Sequence, residues 1–212
     1  MNVWDSAVSA LTAQGLIDSS KVGIIGFSRK GWYVEFILAH AKTHYRAATA
    51  TDNVDYSLGE YWLYHEARLI TADDAVYGGP PYGATLKNWI DYSVSFNLDK
   101  FHTPLLMEEM GGLEPGVYND RAPPLNLAAH YEVFTGLNRL NKPVEMYFYP
   151  YEEHQMDHPQ ARFSSMQRNV DWYRFWLEGE EDPGSAKADQ YARWHQLRQL
   201  QEQDENNYGP RN

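Results

Sequence analysis

Ser28 is the residue around which chemistry can be built. The run Val22-Gly23-Ile24-Ile25-Gly26-Phe27-Ser28-Arg29-Lys30-Gly31 is largely apolar up to the serine, and Trp32 to Ala41 continues it with helical spacing. That order reads as a strand, a tight turn and a helix. A serine hydroxyl is a poor nucleophile until such a turn lifts it clear of a sheet, where a histidine can take its proton and the helix N-terminus can face a developing oxyanion. Gly26 provides the small residue needed two places before the serine. Lys30 stands two places after it, where Gly or Ala is usual, and Gly31 follows one position late. The competing reading is an ordinary strand-to-helix turn in which Ser28 only caps the helix.

A serine activated in this way needs, in chain order, an acid after a later strand and a histidine after the last strand. The segment Val144 to Pro150 alternates as a strand, and Tyr151-Glu152-Glu153-His154 is the loop leaving its C-terminal end. Open parallel sheets build their sites at that end, so His154 is the expected general base. The acid is sought after the apolar strand Thr103 to Glu108. Glu114, past the Gly111-Gly112 turn, is the first choice for a group that orients the imidazole; Asp120 is the second. Glu108 and Glu109 come early for a side chain that must reach His154. His154 and His158 lack a nearby third ligand, so neither a metal nor a cofactor is expected.

The elements that must hold these residues follow from periodicity. Val3, Val8 and Leu11 share a helical face closed by Gly15, and Tyr45 to Thr51 reads as a second buried strand ending at Asp52-Asn53. Residues 54–97 are aromatic and loop-rich, with Gly78-Gly79-Pro80-Pro81 as the strongest turn. Helical spacing returns over Leu125 to Asn141 and over Gln160 to Leu177. A charged helix over Ala186 to Glu205 reads as a solvated appendage. Strands alternating with helices imply a mostly parallel sheet covered by helices, an α/β fold. Residues 1–180 form the catalytic region in this reading, and 181–212 a charged helical tail.

With 212 residues, 43% of them hydrophobic and 15% aromatic, the chain can bury a sizeable core. A formal charge of -11 without any basic run argues against nucleic acid as a partner. Zero cysteines exclude disulfides and thiolate chemistry. No apolar run approaches the length of a membrane span, and no signal opens the chain, which taken alone reads as cytoplasmic.

Taken as an ordered set, the blocks Gly15-Leu16-Ile17-Asp18-Ser19-Ser20-Lys21 with Val22 to Ser28, Gly78-Gly79-Pro80-Pro81, Asp99 through Thr103-Pro104-Leu105-Leu106, and Asn141-Lys142-Pro143-Val144-Glu145 leading to His154 resemble the C-terminal catalytic region of the prolyl oligopeptidase family. Within it, Gly26-Phe27-Ser28-Arg29 and Asn169-Val170-Asp171-Trp172 through Leu177 look most like the lasso-peptide isopeptidase branch. The resemblance implies an α/β-hydrolase fold, a peptide substrate, Ser28 as nucleophile, His154 as base, the Arg29 backbone amide as an oxyanion donor and, from that branch, a glutamate acid, which favours Glu114. It also implies that the chain is the C-terminal part of a larger hydrolase whose first sheet strands and β-propeller lie elsewhere. A sheet edge left open in that way invites self-association. A carboxylesterase on the same residues and a non-catalytic remnant acting only in assembly are the alternatives.

Overall fold

The computed structural model describes residues 2–63, 67–111 and 123–208. Its centre is a four-stranded parallel sheet in the order β1 (Gly23–Phe27), β2 (Ala47–Thr51), β3 (Leu105–Met110), β4 (Val144–Tyr149). Spatial order equals chain order, and the strands run parallel because each is followed by a helical crossover that returns the chain to the same end of the sheet. All four C-terminal ends therefore open on one side.

Before the sheet, α1 (Asn2–Ala13) ends in a Schellman turn: Gly15, at φ 68°, donates to the Thr12 carbonyl at 2.9 Å and Leu16 donates to that of Leu11 at 3.0 Å. After β1, α2 (Arg29–His40) packs Val34 and Ile37 onto one sheet face against Ile24, Ala48 and Met107. The same core receives Val133 and Leu137 from α6 (Pro123–Arg139). The opposite face carries Ala47 and Leu106 under the aromatic residues of α7 (Pro159–Tyr173) and of the π-helical turn Arg174–Glu178 that extends it. The two central strands, β2 and β3, are buried on both faces. At the edge strand β1, Ile25 and Phe27 remain exposed.

Two segments differ from expectation. Between β2 and β3 the chain is not mainly loop but forms α3 (Leu58–Leu63), α4 (Ala67–Tyr77) and α5 (Leu86–Tyr92). These helices are too short for a clear 3.6-residue period. They are held by a satellite core of Tyr56, Tyr61, Tyr77 and Trp89, in which the Tyr77 hydroxyl donates to the Tyr56 carbonyl at 2.8 Å and the Trp89 indole to that of Gly79 at 2.9 Å. Tyr61 is thus core, whereas neighbouring Trp62 is exposed and stacks on Tyr82.

The second is the charged tail. It forms α8 (Ala188–Tyr208), which docks rather than projecting into solvent: Tyr191, Trp194, Gln201 and Asp204 are buried. Trp194 packs edge-on to Trp172, and its indole donates to Glu145 at 2.5 Å. At the N-terminal ends of β3 and β4, Asp204 meets Lys142 at 2.5 Å and His102 at 2.5 Å in a buried cluster. A helix whose inward residues are Gln, Asp, Trp and Tyr has almost no apolar stripe, so its buried face is illegible from hydropathy.

Candidate active site

The turn from β1 into α2 is tight enough to have dictated its glycines. A Cβ on Gly26 would lie 2.3 Å from the Lys30 carbonyl oxygen, and one on Gly31 would lie 2.2 Å from the Asn53 Cβ. The close approach at the later position thus falls on Gly31. Lys30 is tolerated because only its backbone is in the contact, while its exposed ammonium lies 4.7 Å over the Tyr33 ring. Ser28 sits at φ 56°, ψ -134°, a conformation that costs an L-residue of order 1–3 kcal/mol and persists only where its surroundings enforce it. Its amide donates to the Thr51 carbonyl at 3.0 Å.

Ser28 does not cap α2 with its side chain. Its Oγ lies instead 3.0 Å from His154 Nε2. His154 reaches it from the loop after β4, with its ring stacked on Phe27 at 4.6 Å. Sequence order alone had placed these two residues together, 126 positions apart.

The other imidazole nitrogen meets an acid that the sequence reading passed over. His154 Nδ1 lies 2.5 Å from Oδ2 of Asp52, the residue immediately after β2. Asp52 is buried, at φ 38°; its amide donates to the Glu108 carbonyl at 2.7 Å, and its Oδ1 accepts from the Met110 amide at 3.2 Å. One carboxylate oxygen is thus fixed by backbone and the other faces the imidazole. The missed signal was register: Phe27 pairs with Thr51, so Ser28 and Asp52 leave adjacent strand ends side by side.

Of the earlier acid candidates, Glu114 and Asp120 lie outside the described residues. Glu108 turns toward α7, accepting from Tyr149 at 2.9 Å, Ser165 at 2.9 Å and Asn169 at 2.7 Å. Glu109 turns to the other face, 3.0 Å from His130. Neither is placed against His154. Arg29 opens α2, where the first backbone amides have no partner within the helix.

The loop carrying His154 is braced by Glu152, which is buried. Its carboxylate accepts from the amides of Asp157 at 3.0 Å and His158 at 3.3 Å, and contacts His158 Nδ1 at 2.7 Å. His158 is therefore engaged in holding the loop that leads into α7. Removing this carboxylate in Glu152→Ala leaves several donors without their acceptor, at about 1–3 kcal/mol. The same variant is expected to slow reaction at Ser28 about tenfold through a loosened His154, measured as a labelling rate with a serine-directed phosphonate.

Behind Asp52 lies a sealed polar cluster. Asn53 donates to Glu35 at 3.2 Å and also to Asp55, and the amides of Asp55 and Tyr56 donate to Glu60 at 2.7 and 2.6 Å. Burial pushes Glu60 up to about 8, with the Asp55 charge adding to it, and burial likewise raises Glu35 and Glu109 well above the ordinary carboxyl range.

The model of the prolyl oligopeptidase family matches residues 5–180. The lasso peptide isopeptidase AtxE2 of Asticcacaulis excentricus is 29% identical over 219 residues, covering 95% of this chain and 27% of that protein. A solved structure of AtxE2 isopeptidase, a serine-to-alanine variant with Astexin3-dC4 bound, has a TM-score of 0.74 at 27% identity, over 93% of this chain and 28% of that one. A puromycin-hydrolyzing peptidase of Mycobacterium tuberculosis, at 19% identity and a TM-score of 0.64, covers 84% of this chain and 25% of its own length, and is similar in fold. The chain spans about a quarter of the length of these relatives. With a family match over most of its residues and a parallel sheet presenting Ser28 and His154 at one end, the chain belongs to the prolyl oligopeptidase family.

Proposed function

We propose that this chain carries the acyl-transfer site of a serine peptidase or isopeptidase that cleaves amide bonds through an acyl-enzyme on Ser28. The observation that carries the reading is the continuous contact from Ser28 Oγ to His154 Nε2 at 3.0 Å and from His154 Nδ1 to Asp52 at 2.5 Å. As Oγ attacks the carbonyl carbon, Nε2 takes the hydroxyl proton and the Arg29 amide faces the oxyanion. His154 returns that proton to the departing amine. It then draws a proton from water as the water oxygen attacks the acyl carbon, and hands that proton to Ser28 Oγ as the acyl–oxygen bond breaks, restoring the free hydroxyl. Asp52 holds the proton on Nδ1, so that Nε2 is free to accept, and stabilises the imidazolium between steps.

Ester cleavage would use the same atoms. Kinship with a lasso peptide isopeptidase favours an amide link as the scissile bond, and a peptide as the substrate. The apposed serine, histidine and acid support a working site over a remnant retained for assembly.

A fluorophosphonate tests this directly, because it phosphonylates only an activated serine. One stoichiometric adduct is expected, mapped by mass spectrometry to the peptide containing Ser28. A folded chain that stays unmodified, or one labelled equally at other serines, would overturn the assignment.

A further inference from the structure

Glu108 lies fully buried on the α7 side of β3, near the end of the strand that faces the active site, and the contact between Ser28 and His154 makes no direct use of it. Its carboxylate collects side-chain donors from three elements. Oε1 accepts from the Tyr149 hydroxyl at 2.9 Å, and Oε2 accepts from Asn169 at 2.7 Å, Ser165 at 2.9 Å and the Thr51 hydroxyl at 3.3 Å. Burial pushes this carboxyl up, and the bonds from Asn169, Tyr149 and Ser165, with Arg168 nearby, act in the opposite direction. Burial and the Glu108 charge together raise the Tyr149 phenol, which therefore keeps its proton and donates.

Where the donors stand gives the cluster its meaning. Residues 150–158, the loop that carries His154, begin directly after Tyr149 at the end of β4 and lead into α7, which holds Ser165 and Asn169. The strand before the loop and the helix after it are thus fastened to one carboxylate. Thr51 ends β2, and its carbonyl accepts the Ser28 amide at 3.0 Å, so the anchor of the serine turn is held by the same group. A carboxylate has acceptor sites for about four donors, whereas an amide oxygen has about half as many. The 3.0 Å between Ser28 Oγ and His154 Nε2 is therefore set by parts 126 positions apart that meet through Glu108. A displacement of about 1 Å in such a contact costs on the order of 100-fold in rate.

We propose that Glu108 is a positioning residue for the serine–histidine pair, holding the 150–158 loop at the distance from the β2 end that brings His154 Nε2 to Ser28 Oγ. This deepens the function proposed above and rests on its reading of Ser28 and His154, with no use of the group on His154 Nδ1. The Glu108 side chain touches neither substrate nor the reacting atoms.

The test compares Glu108→Gln and Glu108→Ala with Glu145→Gln, which alters a second buried carboxylate that serves Trp194 and Arg193 near the start of β4. Two readings are taken on each folded protein: saturation kinetics of fluorophosphonate labelling, and hydrogen exchange of the 150–158 amides by mass spectrometry. Glu108→Ala is expected to lower the maximal labelling rate about 100-fold and Glu108→Gln, which keeps the shape and part of the acceptor capacity, about tenfold, with the half-saturating probe concentration within about twofold of wild type. Exchange over 150–158 is expected to quicken in both. Glu145→Gln is expected to melt at a lower temperature with both readings as in wild type. A maximal rate and loop exchange unchanged in folded Glu108→Gln overturn the proposal, as does equal slowing in Glu145→Gln, which would reduce Glu108 to a source of general stability. If Glu108→Ala does not fold, Glu108→Gln carries both readings. A folded wild-type chain that takes no label counts against the function proposed above, and the loop exchange then decides whether Glu108 holds His154.

Discussion

Asp52→Asn is expected to slow acylation of Ser28 by roughly ten-thousand-fold, while Glu114→Gln leaves it within about threefold of wild type. The first figure follows from the geometry. Asp52 is the described carboxylate against His154 Nδ1, and an amide there can present N–H to the imidazole, stabilising the tautomer whose proton sits on Nε2. That tautomer cannot accept from Ser28 Oγ. It also removes the charge that stabilises the imidazolium, a loss of about 5 kcal/mol of transition-state stabilisation at that rate ratio. The measurement is the second-order rate of fluorophosphonate labelling for the three proteins, with circular dichroism to establish that each is folded. The opposite pattern, a crippled Glu114→Gln and a competent Asp52→Asn, would move the acid to the loop after β3, where chain order first suggested it. Equal, modest losses would mean that the two share the task.

Asp204→Ala is expected to cost about 3–5 kcal/mol of stability without changing chemistry at Ser28. Asp204 lies between Lys142 and His102 at the N-terminal ends of β4 and β3, the end of the sheet remote from the active site. Lys142 is itself buried, so deleting the carboxylate strips a desolvated ammonium of a close counter-charge. The loss of that compensation, more than the loss of an attraction, sets the size of the effect. For a chain of this length each kcal/mol shifts the melting temperature by about 2–4 °C, which makes the difference readable in a thermal melt. Because the penalty comes from a buried ammonium that has lost a close carboxylate, Lys142→Met combined with Asp204→Leu is expected to recover much of the loss. A single variant that melts within about 1 kcal/mol of wild type would mean that α8 is not anchored there, and the tail would then be the solvated appendage that its composition suggests.

The tail marks where reading by pattern fails, and the contact of Asp52 with His154 is one that pattern does not record, each for a physical reason. Hydropathy reports apolar burial, and α8 buries its face through Trp194, Gln201 and an ion cluster whose partners precede β3 and β4. Nothing local distinguishes Asp204 from the solvated acids beside it. Asp52 likewise looked like the polar residue that ends any strand. What sets it apart is that β2 runs beside β1 in a register placing it next to Ser28, and that the loop after β4 folds back to it. The three short helices between β2 and β3 escaped for a simpler cause, since six to eleven residues rich in Tyr and Trp carry little periodic signal.

By itself the sequence determined the four strands, the turn at Ser28 and the pairing of Ser28 with His154. Those depend on local steric demands and on chain order: a glycine at position 26, short apolar or alternating runs for the strands, and a histidine leaving the last strand. Only the tertiary structure brought Asp52 against the imidazole and showed that Gly31 rather than residue 30 meets the neighbouring loop. Each of those is a contact between segments far apart in the chain, fixed by strand register and burial, and no single stretch of residues records it.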